Sequence, residues 1–460
     1  MKDVLNTNRR ALSDIYRRAS SLASTSLANS AFWVFVGSGG YQVIRLLGNL
    51  VLTRLLFPEV FGVMAIVTAV MIGLGQLSDV GLRQGVVNSD RVNDPRFMQT
   101  AWTLQIVRAG FIGLLGIAIA YPIASFYDAS IIAPVLIWIA LSALITGFKS
   151  IAPLAYDKRL DLKTQMLVDL GIQVLGLAVV IVWAYISPTL WALVAGQVVS
   201  SVLEVITSYY LFSGHHSRFA WDKEVVKKLF NFGKWILLSS IISYLAVQGD
   251  RLILGAFLSM GELGKYSVAA TWAAITSLFS VNISTRVLHP YFKKAIDNHS
   301  DYGKIYRVRN LLNVLYVGIC IVLAAVGDHL IYFLYDDRYS DAGWMLQILA
   351  VGQVGRALTG TLMPFMIASG DSFSQMKFST ANAVILIASL LLGGYLAGTV
   401  GIVVAITISS LLAHPVMIAY ANRHGYRCFL SDMSLIVFSV LICIALWWLM
   451  DSSVINVLFK

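Results

Sequence analysis

From Ser30 onward the chain alternates long apolar stretches with short polar breaks. An α-helix rises 1.5 Å per residue, so about 20 residues cross the roughly 30 Å hydrocarbon core of a bilayer. In lipid the backbone must satisfy its own hydrogen bonds within the segment, and open strands cannot. The pattern therefore predicts an all-α integral membrane protein. Its spans fall at about 30–55, 60–84, 99–123, 130–155, 163–186, 189–213, 229–256, 263–287, 306–334, 342–367, 375–396, 399–420 and 432–450. That makes about 13 transmembrane helices. The tail Val454 to Phe459 is too short for a fourteenth, so the expected C-terminus is outside when the N-terminus is inside.

Composition agrees with the pattern. Of 460 residues, 58% are hydrophobic and 13% charged, against about 45–50% and 25% in a soluble domain. A soluble enzyme, a disordered chain and a secreted disulfide scaffold are excluded. Cys320, Cys428 and Cys443 fit no metal or disulfide spacing, and no cofactor is expected. The formal charge of +10 reads as cytoplasmic loops obeying the positive-inside rule, not as nucleic-acid binding. With the N-terminus inside, 26 of the 34 Lys and Arg residues fall on inner segments, and only Arg54, Lys265, Arg338 and Lys460 on outer ones. The basic segment 1–29 lacks the apolar core and cleavage site of a signal peptide. Loops are short, the longest being about 293–306, so no room is left for a catalytic domain and the work is done inside the membrane.

The junction of the first two spans, Leu55-Leu-Phe-Pro-Glu-Val-Phe-Gly62, has a counterpart 202 positions later in Phe257-Leu-Ser-Met-Gly-Glu-Leu-Gly264. Ile123 to Asp128 and Ile331 to Asp336 close the third and ninth spans alike, and Pro153 late in the fourth matches Pro364 late in the tenth. The order of the matches predicts two six-helix lobes, 30–213 and 229–421, joined by a cytoplasmic linker at 214–228 and followed by an extra helix and tail at 432–460. Such a parallel repeat places a substrate site between lobes near the midplane.

Charges inside a span cost several kcal/mol unless they meet a partner or a wet cavity. The first span carries Gln42, Arg45 and Asn49 at i, i+3, i+7, one helical face. The seventh carries Tyr244, Gln248 and Arg251 on the corresponding face, and the tenth adds Gln353 and Arg356. Together these predict a cationic cavity. Guanidinium suits a diphosphate because its planar fork bonds phosphate oxygens bidentately. The competing explanation is pairing with a nearby carboxylate, and Asp250 adjoins Arg251. Arg54 and Arg108 lie near span ends, where long side chains can snorkel. Asp79 and Arg83, at i, i+4 near the inner face, read as a structural pair or gate. Glu204 and Asp250 are the acids deep enough to consider for ion coupling, whereas His329 and His414 carry little weight singly.

The run Arg54 to Met64, then Leu77-Ser-Asp-Val-Gly-Leu82, Gly249-Asp-Arg-Leu-Ile-Leu-Gly255 and Leu263-Gly-Lys-Tyr-Ser267, resembles the polysaccharide transporter family. These are the Wzx-like flippases of the multidrug/oligosaccharidyl-lipid/polysaccharide exporter superfamily, and the resemblance covers nearly the whole chain. It implies two six-helix lobes in a V shape and export of undecaprenyl-diphosphate-linked oligosaccharide across the bacterial inner membrane. Membrane lipid, a polysaccharide polymerase and chain-length proteins are the other partners it suggests. Larger members have fourteen spans. The resemblance transfers no single motif to the arginines, which rest on the local argument.

Two rival classes remain. A drug or cation antiporter of the same superfamily would need an acidic cavity, and the midplane charges here are mainly arginines. A membrane polymerase or ligase would present a sizeable outer loop with reactive groups, and the outer loops are a few residues each. The charge count predicts that cysteines introduced at Lys227 and Lys294 are shielded from an impermeant thiol reagent added outside intact cells. Labelling at either position overturns this topology.

Overall fold

The computed structural model describes residues 33, 36–37, 39–79, 81–87, 89, 91, 94–159, 163–212, 217–298, 302–450 and 453–458. The expected N-terminal segment 1–29 lies outside them. The described chain is helical: α1 (39–55), α2 (Pro58–Leu77), α3 (Leu82–Val87), α4 (Pro95–Phe126), α5 (Ile132–Gly147), α6 (Ala152–Arg159), α7 (Lys163–Ile186), α8 (Trp191–Tyr210), α9 (Lys223–Phe257), α10 (Met260–Asp297), α11 (Gly303–Leu334), α12 (Ala342–Ser369), α13 (Ser372–Arg423), α14 (Phe429–Leu449) and α15 (Ser453–Leu458). Among the described residues eight helices are long and apolar enough to cross a membrane. This is an all-α, multi-pass membrane protein.

Several breaks differ from the hydropathy pattern. The span expected over 60–84 ends at Leu77, and a separate α3 begins at Leu82 after Gly81 turns at φ 60°. The span expected over 130–155 stops at Gly147, so Pro153 opens α6 instead of lying late in its predecessor. Proline suits that place, since a first-turn residue has no helical partner for its N–H. The ends α10 and α11 overrun their spans until little of the 293–306 loop is left, and α9 starts at Lys223. α13 is two helices that fold back on each other: Ala397 and Gly398 break it, with Gly398 at φ 53°, and Gly393 and Gly401 meet across the turn, where the pattern places the end of one span and the start of the next.

The chain forms two compact units, 1–52 with 78–118 and 135–236, and 53–77 with 119–134 and 237–460. In the first, α7 packs on α8 through Gly176 and Gly196, and a small core of Phe97, Met98, Trp102, Val86 and Ile151 gathers α3, α4 and α6. In the second, α12 is the central element, its residues buried along nearly its whole length against α10, α11 and α13. There α2 crosses α10 with unusual closeness. A Cβ on Gly62 would strike the Met260 carbonyl, and one on Gly264 the Pro58 carbonyl. Both pairs are related by the same offset of 202, so the two repeat junctions meet each other symmetrically, each glycine against the other's helix start. Small residues let membrane helices approach this closely. The α10 start is further fixed by a capping box: the Glu262 N–H donates to Ser259 Oγ (3.3 Å), the Ser259 N–H to Glu262 Oε2 (3.1 Å), and Thr399 donates to Glu262 Oε1 (2.9 Å).

The second unit also contains a fully buried ionic network. Arg309 of α11 donates through both terminal nitrogens to Asp432 of α14 (3.1 and 2.6 Å) and through Nε to Thr361 of α12 (3.1 Å). Thr361 donates in turn to Asn313 (2.8 Å). His414 of α13 bridges Asp432 (Nε2, 3.1 Å) and Thr359 (Nδ1, 3.0 Å). The side chains of Arg309, Asp432 and His414 have no exposure. Arg309 therefore does not belong among the inner-surface cations, where the charge count puts it. Removing one partner of a buried pair leaves the other charge uncompensated, at a cost of about 3–5 kcal/mol. Asp432→Ala should lower the melting temperature of the purified protein by several degrees and reduce its membrane abundance. The surface control Asp297→Ala should change neither, and equal behaviour of the two variants would contradict a structural role for the network.

Candidate functional site

Part of the predicted cationic group lies in the second unit. Asp250 and Arg251 lie on α9, Tyr266 on α10 and Arg356 on α12. Asp250, 8% exposed, has both carboxylate oxygens engaged: the Tyr266 hydroxyl donates to Oδ2 (2.7 Å) and the Arg251 backbone N–H to Oδ1 (2.8 Å). Tyr266 itself is 1% exposed. Arg356 donates through Nε to Ser410 of α13 (3.0 Å). Among the described residues neither guanidinium is ion-paired, so the expected competitor, a simple Asp250–Arg251 salt bridge, is not formed. The amide oxygens Oε1 of Gln248 and Gln353 are buried without a hydrogen-bond partner in the same unit. Buried polar atoms are normally satisfied, so such oxygens mark a place where water or a ligand belongs.

The seventh-span stripe lies on α9, and its Tyr244 packs against α2. Tyr244 donates to the Ala69 carbonyl of α2 (2.9 Å) and lies against Gly73, and Tyr127 donates to the Leu252 carbonyl (2.9 Å), holding α9 beside α2 and the end of α4. Gln42, Arg45 and Asn49 belong to the first unit. There α1 rests on α7 through Gly40 and Gly48, which meet Leu170 and Leu177, and Gln173 donates to the Tyr41 carbonyl (3.0 Å). At 100° per residue the Gln42–Arg45–Asn49 stripe lies about a quarter-turn or more away from that contact. It is not used up in packing against α7, and Arg45 is exposed.

Two further candidates change their meaning. Glu204 of α8 faces Lys149 (3.5 Å) in the break between α5 and α6, beside a pocket with Asp169 and Gln165, and so already has a cation. Asp79 and Arg83 do not share a helix, because α2 ends before Asp79 and Gly81 interrupts the path to α3. Asp79 instead accepts from the Gly81 N–H (3.0 Å) and faces Arg108 of α4 (3.8 Å), while Arg108 Nε donates to Ser78 (3.2 Å). Arg108 is thus a tie between α4 and the α2–α3 break, not a snorkelling cation. The sequence does carry a signal for this: Asp-x-Gly is a turn signature in which the carboxylate bonds the backbone two residues on.

The fold is that of a polytopic, all-α membrane protein. The family model described as polysaccharide biosynthesis protein matches residues 51–343, and the chain belongs to that family. It is 19% identical over 431 residues to the lipopolysaccharide biosynthesis protein WzxC of Escherichia coli (strain K12), covering 90% of this chain and 84% of that one. It is 20% identical over 357 residues to the succinoglycan biosynthesis transport protein ExoT of Rhizobium meliloti (strain 1021), covering 76% and 71%. Its fold is similar to that of the lipid II flippase MurJ in an inward closed conformation, with a TM-score of 0.69 at 11% identity over 92% of this chain and 99% of that one.

The Asp79–Arg108 geometry has a direct test. The exchange Asp79→Arg with Arg108→Asp should restore most of the membrane abundance that either single change loses, and the exchange Asp79→Arg with Arg83→Asp should not. Equal rescue by both exchanges would show that Arg108 is not the partner.

Proposed function

We propose that this protein flips an undecaprenyl-diphosphate-linked oligosaccharide across the bacterial inner membrane for polysaccharide biosynthesis. Its N-terminus is cytoplasmic, and the lobes 30–213 and 229–421 alternate access to a central cavity. The observation that carries this reading is the pair Arg251 and Arg356, arginines of α9 and α12 in one compact unit, neither of them ion-paired among the described residues and Arg356 held by the Ser410 hydroxyl. The families and folds it resembles, a lipopolysaccharide biosynthesis protein, a succinoglycan transport protein and a lipid II flippase, support the same cargo class.

The physical need is plain. Moving a diphosphate through hydrocarbon without compensating charge costs tens of kcal/mol. Arg45, Arg251 and Arg356 supply that charge, Gln42, Asn49, Gln248 and Gln353 supply neutral donors and acceptors for phosphate and sugar, and the lipid tail stays in the bilayer. The headgroup loads from the cytoplasmic side and leaves on the other. The grip must differ between the two conformations, since equal affinity in both shifts no equilibrium.

Surface polysaccharide in cells carrying Arg251→Ala or Arg356→Ala should fall at least about tenfold at unchanged membrane abundance. Arg251→Lys, which keeps the charge and loses the fork, should fall less. Normal export by Arg45→Ala, Arg251→Ala and Arg356→Ala, each at normal abundance, overturns the cationic-cavity mechanism while leaving the fold untouched.

A further inference from the structure

Asp250 is the unexpected member of this group. It is a carboxylate next in sequence to Arg251, buried to 8% exposure, and among the described residues it forms no ion pair with that guanidinium. A desolvated carboxylate takes the strongest donors within reach, and a guanidinium fork is a stronger donor than a phenol or an amide. Yet its Oδ2 accepts from the Tyr266 hydroxyl at 2.7 Å and its Oδ1 from the Arg251 backbone N–H at 2.8 Å. Tyr266 is 1% exposed and sits on α10, the helix fixed at its start by the Ser259–Glu262 capping box and by the close crossing with α2. The phenol is therefore anchored on a separate rigid element, and its hydroxyl has one acceptor, Asp250.

We infer that Tyr266 and Asp250 are positioning residues for the anion site: the Tyr266 hydroxyl holds the Asp250 carboxylate turned away from Arg251, so that the guanidinium stays open to a prenyl diphosphate while the nearby negative charge keeps the grip on that diphosphate moderate. The inference rests on the proposed role of Arg251 in binding the diphosphate. It assigns Asp250 neither ion coupling nor gating. The carboxylate supplies a fixed counter-charge that offsets part of the cost of two buried cations when the site is empty, and it does so without occupying their donor forks. Loss of the phenol hydroxyl frees Oδ2, and the long side chain of the adjoining Arg251 then competes for it. The site closes on itself, and the diphosphate must compete with an internal carboxylate.

This produces an unusual mutational signature, in which a second loss repairs the first. Tyr266→Phe removes one oxygen and leaves the ring that packs the helix crossing. Asp250→Asn keeps the shape of the side chain and removes the charge that could neutralise Arg251. The experiment measures binding of geranylgeranyl diphosphate to purified protein in detergent by calorimetry, together with export of surface polysaccharide and membrane abundance in cells. Tyr266→Phe should weaken binding about tenfold and reduce export in parallel. Asp250→Asn alone should bind the probe several-fold more tightly than the native protein, yet export less, because release slows. The double variant should recover binding to within about twofold of native. Binding by Tyr266→Phe at native strength, or a double variant as weak as Tyr266→Phe, overturns the inference. The two readings fail separately: if Arg251→Ala binds the probe as the native protein does, the diphosphate site itself is wrong. If Arg251→Ala loses binding and Tyr266→Phe does not, the site stands and only the positioning role falls.

Discussion

The structure is governed by the cost of an ionised group in a medium that cannot solvate it. Each charge within the helical layer must be carried to an end, neutralised, or reserved for something that arrives from outside. All three solutions occur. Lys265 at the start of α10 meets Asp341 at the membrane edge. Arg309 is neutralised inside, in a bidentate pair with Asp432 that also employs Thr361 and His414. The third is the one we propose for Arg251 and Arg356, of which Arg356 donates to a serine hydroxyl while the carboxylate beside Arg251 accepts from a phenol. The contrast between Arg309 and Arg251 is informative because both adjoin an acid in the folded protein. One pair is closed by four elements, and the other is kept apart by a phenol.

This division explains how one unit can be rigid and functional at once. The Arg309 network draws α14 onto α11, α12 and α13, and the aromatic cluster around Tyr426, Phe292 and Phe365 packs the adjoining end. Breaking it exposes a bare charge, so it cannot easily open and close. The Asp250–Tyr266 hydrogen bond is a neutral donor on a carboxylate, weaker than a charge-paired contact, and lies on the α9–α10 side, where α2 and α10 cross at glycine contacts.

Much of the fold was legible in the sequence because a membrane leaves few choices. An apolar run of about 20 residues becomes a helix for want of any other way to satisfy its backbone. Even the division of α13 was readable, since Gly398 interrupts a stretch too long for one crossing. The repeat offset of 202 also carried real spatial information, for Gly62 and Gly264 meet each other's helix starts. The breaks at Leu77 and Gly147 were missed because hydropathy averages over short polar interruptions, so Asp79 and Arg83 were read as neighbours on a helix that ends before either. The Arg309–Asp432 pair joins residues 123 positions apart, and no local spacing predicts it. The available hint was Asp432 itself, the lone acid in the apolar α14. Arg251 was legible as a candidate by its depth, but the Tyr266 phenol that bonds the adjoining Asp250 is on another helix and looks like ordinary packing in the sequence.

The same reasoning limits how strong the site can be. A cavity lined by cations alone would bind a diphosphate tightly and stabilise the loaded state, which raises the barrier to release as much as it lowers the barrier to entry. A carboxylate close by but not bound to the cations reduces the net field without removing the donors that recognise phosphate. Geometry then provides selectivity through the guanidinium forks, and charge balance sets the affinity. These two properties are separable only if the acid and the bases are prevented from pairing, and in the site we propose that separation rests on one hydroxyl group anchored on α10. A transporter of anionic cargo has to solve this problem wherever its cations sit in a low-dielectric interior. The solution here is to satisfy the acid locally, with a phenol and a backbone amide, and leave the bases waiting.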